Sequence, residues 1–423
     1  MTDTAQPIVE VNGRRYAWPK QPLVVVCIDG SEPNYEGSDG GGYMERAAQA
    51  GVMPWYSQMC ESGLSTVADC VVPTFTNPNN LSIVTGAPPS VHGICGNYFY
   101  DTKRDAEVMM NDAALLRAET IFSAFQKAGA RISVVTAKDK LRGLLGHGLE
   151  IAPNKAVCFS AEKADQATVA DNGIDQVLEL VGLPLPSVYS ADLSEFVFAA
   201  GVKLMERDRP DIMYLSTTDY IQHKHAPGTE VANRFYAMMD SYWAKLDAMG
   251  ATIALTADHG MKAKHDQAGE PDVIYLQSLL DDWLGQGNCR VILPITDPYV
   301  VHHGALGGYA TAYLSDLGKV QEVINRLDTI EGIECALTKS VACQRFELPE
   351  DRVGDVVVVA KGGKVLGTAP ENHDLSGLTE PLRSHGSIAE QKVPFCISRP
   401  VHALPNDGLL RNFDIMDVAL NRV

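Results

Sequence analysis

Six aspartate and histidine residues stand where an apolar run of this chain gives way to a loop. They are Asp29, Asp219, His223, Asp258, His259 and His385. A carboxylate or an imidazole at the end of a buried strand is costly unless a partner satisfies it. In open α/β sheets, the carboxyl ends of the strands are also where ligands bind. Six such groups suit two divalent cations held side by side, an arrangement used for phosphoryl chemistry.

Two pairs among these residues have informative spacing. Asp219 and His223 are four residues apart, so one cation can reach both side chains on a single helix face; a capped surface helix is the alternative. Asp258 and His259 are adjacent and follow the apolar run 252–257. For this pair, the alternative is a turn in which the hydrogen-bonding groups of the histidine are satisfied. His385, followed by Gly386, carries little information on its own.

Residues 74–86 are rich in hydroxyl and amide side chains and are predicted to lead into a helix. An anion at a helix N-terminus meets free backbone N–H groups and the positive end of the dipole. A threonine or serine hydroxyl bound to Zn²⁺ can ionise near neutral pH and attack phosphorus. The alternative interpretation is N-capping of the helix by threonine or asparagine.

The elements that must position these groups alternate between strands and helices. Strands are predicted over residues 23–28, 131–136, 211–216 and 251–257. Helices are predicted over residues 43–61, 119–128, 193–207 and 229–249, and another helix could open at 81–85. This alternation favours an α/β fold with a mainly parallel sheet sandwiched by helices.

The pattern changes between residues 261 and 382. Short β-rich runs appear there at 290–293, 298–302, 309–314 and 356–360, with one clear helix at 319–327. The change predicts a smaller α+β cap, residues 262–382, inserted in a catalytic core of residues 1–261 and 383–423. The core would end with a helix over 412–420.

Charge and cysteine usage restrict the partners and the compartment. The net charge of −18 argues against nucleic acid, because phosphate binding needs a basic surface. No run approaches the roughly 18–20 apolar residues of a membrane span, and the N-terminus lacks the pattern of a signal peptide. The nine cysteines include no CxxC pair. These features predict a cytoplasmic protein with reduced cysteines, and they leave a homodimer open.

Taken in order, these motifs resemble the alkaline phosphatase superfamily, in the branch of the nucleotide pyrophosphatases and phosphodiesterases. Residues 76–86 are in frame with the diesterase Thr-Phe-Pro-Asn-His stretch that runs into Val-Thr-Gly, so Thr76 matches the nucleophile. Asn97 matches the asparagine that donates to a phosphoryl oxygen. Asn77 and Asn80 depart from the family, since they replace the diesterase Phe and His. The Cys-x-Pro-x-Arg stretch of the sulfatases of this superfamily does not occur.

The resemblance implies an alkaline phosphatase-like core that binds two Zn²⁺ per chain. One cation would be held by Asp29, Asp258, His259 and the Thr76 oxygen, and the other by Asp219, His223 and His385. Thr76 would attack phosphorus in line, with Asn97 donating to the transferred group, and would give a phosphothreonine intermediate.

Two lysines narrow the range of possible substrates. Lys138 and Lys140 follow the strand 131–136 and, two residues apart, would line the same side of an extended segment. In the members of this branch that cleave the carbon–phosphorus bond of phosphonoacetate, lysines at this location hold the substrate carboxylate. The resemblance therefore implies a small-molecule phosphonate substrate, with acetate and phosphate as products.

Other functions use the same metals or none. A zinc phosphodiesterase or nucleotide pyrophosphatase of the same superfamily is the main alternative, and in that case both lysines would be ordinary surface residues. Phosphomonoesterases and mutases are disfavoured, because they usually use serine where this chain has Thr76. A metal-binding protein without turnover would have no need of a nucleophile.

Overall fold

Strands and helices alternate through most of the chain. The protein is described by a computed structural model that covers residues 7–38, 40–297, 304–405 and 409–423. The strands are β1 (Ile8–Val11), β2 (Arg14–Ala17), β3 (Leu23–Cys27), β4 (Leu64–Asp69), β5 (Tyr98–Asp101), β6 (Ala106–Met109), β7 (Ile132–Thr136), β8 (Ala156–Ser160), β9 (Ile212–Ser216), β10 (Thr252–Thr256), β11 (Lys262–Ala263), β12 (Val273–Tyr275), β13 (Cys289–Ile292), β14 (Tyr309–Leu314), β15 (Ile333–Thr338), β16 (Val356–Ala360), β17 (Val365–Gly367), β18 (Arg383–Ser384) and β19 (Lys392–Ile397). The helices are α1 (Tyr43–Gln49), α2 (Pro54–Ser62), α3 (Thr76–Thr85), α4 (Pro89–His92), α5 (Ile121–Lys127), α6 (Asp139–Leu145), α7 (Val169–Asn172), α8 (Val177–Val181), α9 (Asp192–Arg207), α10 (Glu230–Ala248), α11 (Leu276–Leu284), α12 (Val320–Leu327), α13 (Lys339–Phe346) and α14 (Ile415–Asn421).

The largest sheet of the described residues has seven strands in the order β4–β19–β10–β3–β9–β7–β8. The five strands from β10 to β8 pair in parallel, whereas β19 is antiparallel to both of its neighbours. Every residue of β3, β7, β8, β9 and β10 is buried, as expected for parallel strands covered on both faces.

Alternate residues of β3 belong to two different apolar clusters, one on each face of this sheet. Val24 and Val26 pack with α1, α2, α9 and α10, while Leu23, Val25 and Cys27 pack with α3, α5, α6 and α14. The predicted α/β sandwich, with a mainly parallel sheet covered by helices on both faces, is therefore confirmed.

A second, antiparallel sheet with the order β13–β14–β16–β15 is built from residues 289–360. Its apolar residues join those of α11, α12 and α13 in the cluster that also covers one face of the main sheet. The segments that precede and follow residues 264–382 lie side by side, because β11 and β18 pair with each other. The division into a core and an inserted cap stays a prediction, although this second sheet lies within the predicted cap.

Several elements differ from the sequence-based expectation. The helix expected over 43–61 is two helices, because Gly51 adopts φ 76° and Pro54 begins a new helix. Residues 81–85 end α3 instead of opening a helix. The strand expected over 298–302 and the first six residues of the chain lie outside the described residues. None of the helices that the structure describes is long and apolar enough to cross a membrane.

The expectation for the lysine segment is wrong in its local structure. Lys138 is the residue before α6, and Lys140 lies in the first turn of that helix rather than in an extended segment. Asp139 occupies the first position of the helix, where a carboxylate is favoured by the helix dipole. The two lysines nevertheless line one cavity.

Candidate active site and metal centre

Three neighbouring parallel strands deliver five of the six predicted ligands to one edge of the main sheet. Asp29 follows β3, Asp219 and His223 follow β9, and Asp258 and His259 follow β10. His385 follows the short strand β18. All six side chains are buried. The edge-of-sheet placement that the apolar runs predict is thus what brings together residues that are far apart in sequence.

Asp219, His223 and His385 form one compact group. The candidate ligand atoms of these three residues all lie within 4.8 Å of one another. Asp219 Oδ2 is 2.8 Å from His223 Nε2 and 3.9 Å from His385 Nε2. One carboxylate and two imidazoles at this separation can bind a divalent cation.

Asp29, Asp219 and His259 form a second group that shares Asp219 with the first, again with ligand atoms within 4.8 Å. Asp29 Oδ1 and His259 Nε2 lie 3.3 Å apart, and neither atom has a hydrogen-bond partner elsewhere among the described residues. Asp258 Oδ2 is 3.8 Å from His259 Nε2. The two groups are therefore contiguous, which suits a pair of cations.

Backbone carbonyls orient all three imidazoles. The Nδ1 atoms of the rings face carbonyl oxygens, at 2.7 Å from Arg383 for His223, 2.9 Å from Gly260 for His259 and 2.7 Å from Thr74 for His385. A carbonyl oxygen can only accept a hydrogen bond, so each Nδ1 carries a proton, and in the neutral form of each ring the lone pair is on Nε2. This is the usual outer arrangement around metal-binding histidines.

Without a cation, the two groups hold several buried carboxylates whose negative charges disfavour one another. Burial raises the pKa of Asp29 well above its usual value, and the charges of Asp219 and Asp258 raise it further. Burial likewise raises the pKa of Asp258. Burial alone would lower the pKa of His259, but the neighbouring carboxylates, Asp258 foremost, raise it to about 10. Buried carboxylates that are held together in this way are stabilised by bound cations. The residues present therefore fit a metal centre.

Thr76 is the first residue of α3, and it lines the same cavity as Asp29, Asp219 and His385. Asn97 lines this cavity too, and its Oδ1 atom accepts a 3.1 Å hydrogen bond from the backbone N–H of Asn77. That bond assigns the amide orientation and leaves the Asn97 NH₂ group as a donor for the cavity.

Asn80, at the position of the diesterase histidine, is a fully buried residue of α3. Its Nδ2 atom donates to the Thr76 carbonyl at 3.1 Å and to Asp258 Oδ2 at 3.2 Å. Its Oδ1 atom accepts from the Tyr214 hydroxyl at 2.7 Å and from Ser216 Oγ at 3.4 Å. The departure from the family pattern thus has a structural role, because the amide links Thr76 to Asp258, a candidate metal ligand.

The two lysines of the cavity differ in their surroundings. Lys138 is half-buried and makes no ion pair with a described residue. Lys140 forms an ion pair with Asp297, whose side chain is 1% exposed. Asp297 also lines the cavity. Sequence reasoning missed this residue, because an isolated aspartate in the segment 294–298 carries no signal of its spatial partner.

The fold and the site define an α/β protein with a candidate two-cation centre at the carboxyl edge of its main sheet. The chain belongs to the type I phosphodiesterase / nucleotide pyrophosphatase family, whose model matches residues 23–388.

Two similar solved structures are both of a phosphonoacetate hydrolase from Sinorhizobium meliloti 1021. The structure with phosphonoformate is 57% identical and the structure with phosphonoacetate is 56% identical to this chain. Each match covers 99% of this chain and 100% of the other, with a TM-score of 0.94.

More distant relatives share the fold. The murine ectonucleotide pyrophosphatase / phosphodiesterase 5 has a TM-score of 0.62 at 16% identity, over 96% of both chains. A Caenorhabditis elegans ectonucleotide pyrophosphatase/phosphodiesterase is 21% identical over 81% of this chain, and rat family member 1 is 25% identical over 62%. The matches span only 39% and 26% of the length of these two curated relatives.

Proposed function

We propose that this protein hydrolyses the carbon–phosphorus bond of phosphonoacetate to acetate and phosphate, with two Zn²⁺ per chain. One observation carries the proposal: Lys138 and Lys140 line the same cavity as Thr76, Asn97 and the candidate metal ligands. The substrate needs both features, a site for its phosphoryl group and a cationic site for its carboxylate. The likeness to a phosphonoacetate hydrolase over almost the whole chain supports the assignment.

Zinc is the cation that the donor set favours, because the site offers only imidazole nitrogens and carboxylate or hydroxyl oxygens. One Zn²⁺ would be held by Asp29, Asp258, His259 and the Thr76 oxygen. The other would be held by Asp219, His223 and His385. Bound cations would lower the pKa of the Thr76 hydroxyl and neutralise charge on the phosphoryl oxygens.

Thr76 is the proposed nucleophile. Its Oγ atom gives its proton to solvent and attacks phosphorus, so that an O–P bond forms while the P–C bond breaks. The electron pair of the broken bond goes to the methylene carbon and delocalises into the adjacent carboxylate as an enediolate. The NH₂ group of Asn97 donates to a phosphoryl oxygen throughout, in the orientation that the Asn77 N–H imposes.

Lys138 and Lys140 act on the leaving group. A carbanion is far more basic than an alkoxide, so stabilisation is needed where its charge appears. Ammonium groups beside the carboxylate interact more strongly with the enediolate than with the substrate, and this difference lowers the barrier. Water then protonates the carbanion to acetate and hydrolyses the phosphothreonine to phosphate and Thr76.

A zinc phosphodiesterase or nucleotide pyrophosphatase is the second candidate, and the family match favours it. Nucleotide substrates would gain from an aromatic side chain against the base. The described residues that line the cavity include no Phe, Tyr or Trp. The cationic pair Lys138 and Lys140 would also have no partner on a diester. The carbon–phosphorus hydrolase therefore accounts for more of the cavity.

The test is a set of three parallel assays on the purified protein. Phosphate and acetate are measured from phosphonoacetate, beside turnover of a bis-aryl phosphodiester and of an aryl phosphomonoester. Each assay is repeated after chelation and after zinc is restored, with Thr76→Ala as the control for the nucleophile. We expect zinc-dependent release of equal amounts of acetate and phosphate, with slow turnover of both esters. Fast diester cleavage without acetate would establish the second candidate instead.

A further inference from the structure

Asp297 is a buried carboxylate that the proposed reaction does not use. Its side chain is 1% exposed and it lies in the lining of the substrate cavity together with Lys138 and Lys140. A buried carboxylate is stable only if a cation or several donors compensate it. Lys140, whose side chain is 18% exposed, supplies that compensation through a direct ion pair.

The loop that carries Asp297 is fixed to the part of the site that would bind the phosphoryl group. The backbone N–H of Asn97 donates to the carbonyl of Pro294 at 2.8 Å. A Cβ atom added to Gly96 would lie 2.7 Å from Pro294 Cβ, so only glycine permits this approach. Asp297 is therefore held in place by the same segment that holds Asn97.

The charges around the lysines do not cancel. Among the described residues of the cavity, Lys138 and Lys140 contribute two positive charges, and Asp297, which is paired with Lys140, contributes one negative charge. These three side chains, Lys138, Lys140 and Asp297, together carry a net charge of +1, which matches one substrate carboxylate. A second anionic group on the leaving fragment would add to the negative charge of Asp297, while the two lysines of the described lining are already engaged.

We propose that Asp297 is a specificity-determining residue, which restricts the organic fragment of the substrate to a single carboxylate. This inference rests on the proposed function and adds the substrate range to it. Asp297 acts by repulsion: it permits the monocarboxylate and penalises an otherwise similar dicarboxylate. Specificity of this kind needs an unfavourable element against the wrong ligand as well as contacts with the right one.

A matched pair of ligands isolates the charge. One is 2-phosphonobutanedioate, and the other is the same molecule with its distal carboxylate replaced by a carboxamide. The two differ little in size, and both keep the carboxylate on the carbon that bears phosphorus. Calorimetry on the zinc-loaded protein measures their binding independently of turnover, so a failure of the proposed hydrolysis and a failure of this inference are separate results.

The wild-type protein is expected to bind the carboxamide about tenfold or more tightly than the dicarboxylate, because a single like-charge contact at a partly buried site has this magnitude. In Asp297→Asn the two ligands should bind within about threefold of each other, since the repulsion is removed. Asp272→Asn is the matched control. It removes the same charge from an ion pair with Lys364 outside the cavity, at 2.6 Å, and should keep the wild-type ratio.

Two results would overturn the inference. One is equal binding of the two ligands by the wild-type protein, which requires no variant and stands even if Asp297→Asn does not fold. The other is a wild-type ratio that persists in folded Asp297→Asn. Turnover tests the proposed function separately: if the wild-type protein hydrolyses no phosphonoacetate, the proposed function fails, whatever the ratio of the two binding constants.

Discussion

The imidazole rings of His259 and His385 lie face to face, with centroids 3.6 Å apart and planes inclined by 7°. Each ring donates its Nδ1 proton to a backbone carbonyl, so the two Nε2 atoms are directed to the carboxylates of the two candidate cation sites. Two protonated rings in this arrangement would repel each other. Burial, and then the charge of His259, accordingly lower the pKa of His385 well below its usual value. The stacked pair is where the two candidate sites join.

Removal of the cations should weaken the protein as well as inactivate it. Chelation leaves Asp29, Asp219 and Asp258 buried close together, and the raised pKa of Asp29 shows that its ionised form is unfavourable there. We expect the unfolding midpoint to fall by several degrees on chelation and to recover when zinc is added, because binding to the folded state alone stabilises it. Differential scanning calorimetry with and without zinc measures this effect.

Asp29→Asn separates charge repulsion from general damage to the site. Without metal, the variant should be about 1–2 kcal/mol more stable than the chelated wild type, since one buried charge is removed. With zinc, it should gain little further stability, because a proposed ligand is missing. A chelated variant that is less stable than the chelated wild type would show that the carboxylates do not repel one another as described.

Lys138 and Lys140 should respond differently to substitution with alanine. Lys138→Ala removes an ammonium that makes no ion pair with a described residue, so the unfolding midpoint should stay near that of the wild type. Its kcat/KM for phosphonoacetate should fall about a hundredfold or more, with a much smaller change for an aryl phosphomonoester, which has no carboxylate. Equal losses on both substrates would exclude a role at the carboxylate.

Lys140→Ala removes the ion pair with the buried carboxylate of Asp297 and should therefore lower stability as well as activity. Chemical denaturation of Lys138→Ala and Lys140→Ala measures this difference in stability. Lys163→Ala is the control, because Lys163 makes a 3.3 Å ion pair with Asp139 and does not line the cavity. It should change neither stability nor turnover by much.

The sequence was sufficient to predict the sandwich and the convergence of five candidate ligands, since both follow from apolar runs that end in polar residues. His385 joined this set only through the family resemblance. The segment 43–61 was harder, because its apolar residues continue across the break at Gly51 and Pro54. β19 was not predicted: it contains Pro394, which pairs with β4 beyond the end of its pairing with β10. The ion pair between Lys140 and Asp297 could not be predicted, because it joins residues from two segments whose approach depends on the whole fold.

The Tyr214 hydroxyl should be needed to orient Asn80. If the Asn80 amide rotated by half a turn, its Oδ1 atom would face Asp258 Oδ2, and two acceptors would meet. The 2.7 Å hydrogen bond from Tyr214 prevents this. Tyr214→Phe should lower stability by about 1–2 kcal/mol and also weaken zinc binding at the site of Asp258.

The zinc affinity of metal-free Tyr214→Phe is measured by titration with zinc in competition with a chromophoric chelator. Ser216→Ala provides a graded comparison, because its Oγ atom is 3.4 Å from the same Asn80 oxygen and should contribute less. If Tyr214→Phe lowered stability but left zinc affinity and kcat at their wild-type values, the Tyr214 hydroxyl would contribute to stability and not to the orientation of the metal site.

His92 should make the protein sensitive to acid at a position outside the metal centre. The ring is fully buried, with Nε2 2.9 Å from Ser82 Oγ and Nδ1 accepting from the Ile94 N–H at 3.2 Å. Burial, and then the positive charge of Arg352, lower the pKa of His92 to about 3. The unfolded chain therefore binds a proton below pH 6.5 that the folded protein excludes, and stability falls by about 1.4 kcal/mol per pH unit from this residue as the pH drops towards 3.

His92→Gln removes this titration, so the comparison is between the pH dependences of two proteins rather than between their stabilities. The variant should be less stable than the wild type at pH 7, because the buried contacts are altered. Between pH 7 and pH 5, however, the wild type should lose about 2 kcal/mol more than the variant, since only its unfolded state gains the imidazole proton. Urea titrations at the two pH values give both free energies. Parallel losses in the two proteins would mean that His92 is protonated in the folded state as readily as in the unfolded chain.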